Sequence, residues 1–303
     1  MKLLPKSGLN RSLALVLLVA LVPASLGYMY YEGDTTQVTV LHIDGAPEGI
    51  VFIADPHLRE ANIAHVEKTI DQINALHPSV VLIGGDFTFR GAEDLPLNEV
   101  WKGIDAPVFA ILGNHDYQAG LGGPEIVEKT LLLRQADLRP ESYNVSVIGT
   151  GHVDTGFADS VSQELSKDGV TVLRNEAVTL DLGGRHTTIV GLDDCWSGRT
   201  QPPVVPATGD FTLYLIHEPD CAAAWPGADL ILAGHTHGGQ FATGLTQALN
   251  TLGVIELAGM KSKDGVPLYI TRGIGTSNFN TELRFMEPPE IVVINPVTEP
   301  VTG

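Results

Sequence analysis

The sequence predicts an α/β domain, with a parallel sheet in its first half and a second sheet packed against it. Three observations lead there. Residues 51–54, 80–83, 108–112, 211–216 and 230–233 are continuous β-branched or aliphatic runs of strand length, the pattern of strands buried on both faces. Between the first two runs, Ile63, Val66, Ile70, Ile73 and Leu76 recur at helical spacing, so strand, helix and strand form a crossover unit. From residue 170 onward strand patterns follow one another across turns, which requires a second sheet.

Taken in order, the chain opens with Lys2, Lys6 and Arg11 ahead of an apolar run over residues 13–29. That makes residues 1–30 either a signal peptide or a membrane anchor. Ser25, Leu26 and Gly27 offer small residues for cleavage, yet the run is nearly long enough, at roughly 17–19 residues, to span a bilayer. The positive-inside bias keeps the three cations in the cytoplasm, so the remaining domain, anchored by its N-terminus or exported, is expected outside it. Residues 31–48 read as a polar linker and a leading strand, and the main domain is expected over 49–297. His77-Pro78 closes the first helix, and residues 96–104 offer a shorter helical pattern before the third strand. Residues 118–160 read as a possible insertion near the site mouth, with a helix over 125–133 and an aperiodic Gly-, Ser- and Asp-rich remainder. Strands follow over 170–173, 177–182 and 187–192, with Gly183-Gly184 as a turn.

With 303 residues and 44% hydrophobic content, the chain can bury a full core as one large domain. Its net charge of −18 repels polyphosphate backbones, so no nucleic acid partner is expected. Cys195 and Cys221 fit a disulfide in an oxidising compartment and equally two buried thiols.

The five apolar runs share one further property: each ends in polar residues of metal-ligand type. These are Asp55-Pro56-His57, Gly85-Asp86, Gly113-Asn114-His115-Asp116, His217, and Gly234-His235-Thr236-His237-Gly238-Gly239-Gln240. The carboxyl ends of strands in an open α/β sheet converge on one crevice, so these side chains can meet there. Asp86 can bridge two ions through its two oxygens, Asn114 can add a neutral amide oxygen, and the histidines offer imidazoles. Two divalent ions about 3.5–4 Å apart can clamp a phosphoryl group and activate a water between them. His42, His65, His77 and His186 lack such context and default to surface or core roles, while His152 stays open for substrate contact. The glycines of residues 273–277 read as backbone geometry.

In this order the motifs resemble those of the calcineurin-like metallophosphoesterases, and the Gly234–Gln240 stretch looks like the membrane-associated bacterial branch of that superfamily. The similarity runs from about residue 49 to 295. It implies a four-layer αββα sandwich with two divalent metal ions, of Mn, Fe, Zn or Co type. It also implies that Asp55, His57, Asp86 and His237 hold one ion, that Asp86, Asn114, His217 and His235 hold the other, and that His115 is catalytic, assisting the leaving group or binding phosphate. One departure stands out: the family commonly carries an acid three residues after the bridging Asp, where this chain has Phe89.

The expected activity is therefore a di-metal phosphohydrolase of phosphomonoesters or phosphodiesters, with attack by a metal-bridging hydroxide. Its expected partners are a phosphorylated small molecule or lipid, such as a lipid-linked pyrophosphate, and a membrane through the N-terminus. The alternatives are a metal-dependent amide or ester hydrolase and a non-catalytic metal-containing binding module. The shared Asp86 and neutral Asn114 favour phosphoryl chemistry.

Overall fold

The computed structural model describes residues 11–89, 91–205, 209–252, 256–277 and 281–297, with side chains from Val19 onward. Lys2, Lys6 and Arg90 lie outside the described residues. In chain order the elements are α1 (Arg11–Gly33), β1 (Gln37–Ile43), β2 (Ile50–Ile53), α2 (Ile63–Ala75), β3 (Val80–Ile83), β4 (Val108–Ala110), α3 (Gly123–Leu133), α4 (Thr155–Lys167), β5 (Val170–Val172), β6 (Glu176–Leu182), β7 (Arg185–Gly191), β8 (Phe211–Ile216), β9 (Leu230–Ala233), α5 (Gly244–Thr251), β10 (Gly259–Lys263), β11 (Val266–Ile270) and β12 (Glu290–Pro296).

Among the described residues the strands form two six-stranded sheets, ordered β1-β12-β2-β3-β4-β5 and β10-β11-β9-β8-β7-β6. Both are mixed. In the first, β2 through β5 run parallel, as the crossover pattern predicts, but β12 returns antiparallel against β2. In the second, β7, β8, β9 and β11 are parallel between the antiparallel edges β6 and β10.

Alternation of side chains explains why the apolar runs are unbroken. Val51 and Ile53 of β2 and Val81 and Ile83 of β3 face α2 and α4, packing with Val66, Ile70, Ile73, Val161 and Leu165. Their neighbours Ile50, Phe52, Val80 and Leu82 face the other sheet, meeting Leu213, Leu215, Leu230 and Leu232. The outer face of the second sheet, with Val190, Tyr214 and Ile231, is covered by Leu132, Leu133, Val145 and Ile148. The result is two sheets flanked by helices. Residues 118–160, expected as an insertion at the mouth, thus contribute α3 and its following segment to the outer cover of the second sheet, and the start of α4 to the first. The helical pattern over 96–104 is instead part of a 3-10 stretch, Ala92–Gly103, with Pro96 inside it.

Helix α1 takes in the apolar run of the N-terminus. Val19, Leu21, Val22 and Leu26 are exposed, whereas Glu32 and Gly33 at its end are buried against the body. Among the described residues, no helix is long and apolar enough to cross a membrane. Cys195 and Cys221 form a disulfide, with Cα atoms 6.5 Å apart, that joins the loops leaving β7 and β8.

Candidate metal centre

The loops leaving β2, β3, β4, β8 and β9 bring all seven expected ligands together. The ligand-type atoms of Asp55, His57 and His237 lie within 4.8 Å of one another, and those of Asp86, His217 and His235 do so beside them. Asp86 joins the two sets: its Oδ2 is 3.5 Å from His57 Nε2 and 3.1 Å from His217 Nε2. Asn114 Oδ1 lies 3.0 Å from His235 Nδ1, and its amide nitrogen donates to Ala119 O at 2.7 Å, which turns the oxygen toward the cluster.

The backbone is bent to make this possible. Asp55, His57, Asp86, His235 and His237 all adopt left-handed φ values of 42–70°, unusual for residues with a Cβ. Such strain persists only where the surroundings enforce it, and it concentrates at functional sites. Asp116 does much of the enforcing: its carboxylate accepts from the backbone N–H of Gly113, Asp86, Phe87 and Thr88 at 2.9–3.3 Å, lacing the β3 and β4 loops together. Gly113 is needed for close approach, since a Cβ there would stand 2.3 Å from Asp86 Oδ1.

Backbone carbonyls fix two of the imidazoles. His217 Nδ1 donates to Gly84 O at 2.7 Å and His237 Nδ1 donates to Gly275 O at 3.2 Å, because a carbonyl can only accept. In each case Nε2 is the atom turned to the cluster, the arrangement by which outer partners orient metal-binding histidines. His237 Nε2 comes within 3.0 Å of His57 Nε2, and the two rings stack.

The electrostatics fit a cation. Burial holds His57 and His237 well below the ordinary histidine range and takes His235 down to about 4, so all three offer lone pairs. Burial lifts Asp55 to about 7. Burial would also lift Asp86, but His217 and His115 outweigh it and keep that carboxyl well below its usual range. His217 in turn resists burial through Asp86 and Asp55, which hold its imidazole well above the usual range. The acidic cluster therefore needs a positive charge beside Asp86. A divalent cation supplies that charge and leaves His217 Nε2 free to ligate, so the residues present fit a metal.

His115, the expected catalytic residue, is half-buried next to this cluster. Its backbone N–H donates to Asp86 Oδ1 at 2.9 Å, its ring meets the His57 ring edge-on, and its Nδ1 has no hydrogen-bond partner among the described residues. Phe89 stands edge-on to His57 and beneath the Arg59 guanidinium, so an aromatic ring occupies the region where the resemblance implies an acid. His42, His77, His152 and His186 are exposed, and His65 is a core residue meeting Ile274 O.

Three participants had no role in the sequence reading, although Arg284 lies in the segment 283–291 that shares the family resemblance. Asp116 sits inside the Gly-Asn-His-Asp motif and needed only a role. Trp196 packs edge-on against His235, and nothing local marks it. The fully buried Arg284 points its guanidinium at the carbonyls of His237, Arg272, Gly273, Gly275 and Glu287, although it lies 47 residues from the nearest ligand in sequence.

Residues 49–239 match the sequence pattern of the calcineurin-like phosphoesterase family. The phosphodiesterase YaeI of Escherichia coli strain K12 is 27% identical over 278 residues, covering 84% of this chain and 87% of that protein. An uncharacterised metallophosphoesterase of Aquifex aeolicus is 30% identical over 258 residues, covering 79% of each chain. The uncharacterised metallophosphoesterase YkuE of Bacillus subtilis is 34% identical over 152 residues, which is 47% of this chain and 52% of that protein.

Proposed function

The chain belongs to the calcineurin-like phosphoesterase family and is a metal-dependent phosphoesterase; from that premise we propose that it is a two-metal hydrolase of phosphodiesters. The observation that carries the reading is Asp86, one carboxylate oxygen of which faces ligand atoms of both sets. Asp55, His57, Asp86 and His237 would hold one ion, and Asp86, Asn114, His217 and His235 the other. Ions of Mn, Fe, Zn or Co type suit such mixed N/O ligation. When bound, they lower the pKa of a water and offset charge developing on phosphoryl oxygens. The chain's own contribution is to fix the ligands, exclude bulk water around them, and present His115 to the departing oxygen as a proton donor.

The phosphodiester preference is supported by the name of the E. coli relative. A location outside the cytoplasm, by anchor or export, is supported by the basic start and apolar run of the N-terminus and by the Cys195–Cys221 disulfide, a bond that persists in oxidising compartments. That location, with the Gly-His-Thr-His-Gly-Gly-Gln motif, makes a lipid-linked pyrophosphate the natural substrate to test.

The deciding experiment compares nitrophenyl phosphate, bis-nitrophenyl phosphate and nitrophenyl acetate on chelated protein with each metal added back. Metal-dependent turnover of the diester above the other two is expected. Preference for the acetate would overturn the reading in favour of an ester or amide hydrolase.

A further inference from the structure

Helix α1 leaves the body along most of its length but not at its end. Its final turn is stitched to the segment 282–286: Arg284 N–H donates to Met29 O at 3.2 Å, Met286 N–H donates to the Glu32 carboxylate at 2.8 Å, and the Tyr28 ring meets the Phe285 ring edge-on. Gly33 lies so close to Glu282 that a Cβ would sit 1.6 Å from its carbonyl oxygen. Glu32 is 7% exposed, a carboxylate buried to accept a backbone hydrogen bond.

That segment in turn grips the candidate metal centre on one side. The Arg284 guanidinium holds the carbonyls of His237 and Gly275. Gly275 O receives the Nδ1 proton of His237, and Gly275 N–H donates to Asp55 O at 2.9 Å. Ile274 N–H likewise donates to Ala54 O. A set of hydrogen bonds thus runs from Met29 through Arg284 and Gly275 to Asp55 and His237, and Glu32 braces the same segment two residues on, at Met286. None of these bonds reaches His217 or Asn114, and His235 meets the set only through its backbone N–H, which donates to the Asp55 carboxylate.

We infer that the end of α1, Met29–Gly33, positions the Asp55/His57/His237 half of the metal centre, with Glu32 as its positioning residue. The N-terminal helix is therefore part of the catalytic scaffold as well as a determinant of location. A docked helix end that only fastened the helix to the body would need no link to a ligand loop, whereas here the anchor points are the residues flanking Arg284. The inference rests on the two-metal reading, and the test separates the two.

The test uses full-length protein carrying Glu32→Ala, Glu32→Gln or Tyr28→Ala, with Leu26→Ala on the exposed part of the helix as control. Metal-free proteins are titrated with Mn²⁺ by calorimetry, turnover of bis-nitrophenyl phosphate is measured, and folding is checked by circular dichroism and thermal unfolding. Glu32→Ala should weaken one of two Mn²⁺ affinities by about 10-fold and lower kcat by a similar factor with KM little changed, the scale seen when outer partners of metal ligands are lost. Glu32→Gln should restore both values, because its amide oxygen still accepts from Met286 N–H. Tyr28→Ala should give a smaller loss of the same kind, and Leu26→Ala none. Wild-type affinities and kcat in Glu32→Ala would overturn the inference, as would an equal loss at both Mn²⁺ sites accompanied by a lowered Tm, the mark of general destabilisation. Wild-type protein that binds a single Mn²⁺ would overturn the two-metal reading itself and this inference with it.

Discussion

At the scale of single residues, the site is defined by where charge and strain are concentrated. Asp86 combines a left-handed backbone, a carboxyl held well below its usual range, and contact with both ligand sets. Replacing it by Asn keeps the shape and removes the charge that two ions would share. Asp86→Asn should cut turnover by more than about 100-fold, exceeding the loss from an outer partner, and lower metal content at both positions. Elemental analysis finding two ions per chain in active Asp86→Asn protein would defeat the bridging role. His115 is different, since its ring packs edge-on against His57 beside the expected ligands and it is assigned to neither ion. His115→Ala should slow poor leaving groups by about 10²–10⁴-fold and nitrophenol esters less, because nitrophenolate needs little protonation to depart. Equal losses on both substrate types would point to phosphate binding instead. The convergence of these residues was legible in the sequence because Asp, Asn and His recur together at the ends of the buried runs. The supporting Trp196 and Arg284 were not, because an aromatic ring or an arginine is equally at home in a core or on a surface.

At the scale of elements, the runs that became β2, β3, β4, β8 and β9 were legible because burial on both faces leaves no polar gap. The neighbours of β12 were not: Glu290–Pro296 pairs with β1 and β2, more than 230 residues away, and no local pattern specifies that pairing. Helix α4 was hidden for another reason. Its buried positions Ala158, Val161 and Leu165 are sparse among Ser, Gln, Glu and Asp, and its capping Asp154 lay in a stretch read as aperiodic. The pairing of the two cysteines also needed the fold, which brings the β7 and β8 loops side by side. The same two loops are joined by a buried carboxyl pair, where burial and Glu218 hold Asp194 well above its usual range. A crosslink between residues 26 apart destabilises the unfolded chain by about 3.5 kcal/mol in loop-closure entropy. Denaturant unfolding with and without reductant should therefore differ by about that amount, and the Cys195→Ser/Cys221→Ser double variant should match the reduced protein. Identical midpoints in both conditions would mean that the bond does not contribute to stability.

At the scale of the whole molecule, the site and the surface pull an anionic substrate in opposite directions. The metal centre is built to receive a phosphoryl group, yet the chain carries a net charge of −18, of which two divalent ions would offset only a small part. A negatively charged diester approaching from solution meets a repulsive field at long range and an attractive one only close to the ions. Salt separates the two. Raising ionic strength from about 0.01 M to about 0.15 M shortens the screening length from roughly 30 Å to roughly 8 Å, which removes the distant repulsion while leaving contacts inside the site nearly untouched. For soluble bis-nitrophenyl phosphate, kcat/KM should therefore rise severalfold across that range while kcat stays constant, since the chemical step occurs after the field has been crossed. A fall in kcat/KM with added salt would mean that the positive potential at the mouth reaches further than the acidic surface allows.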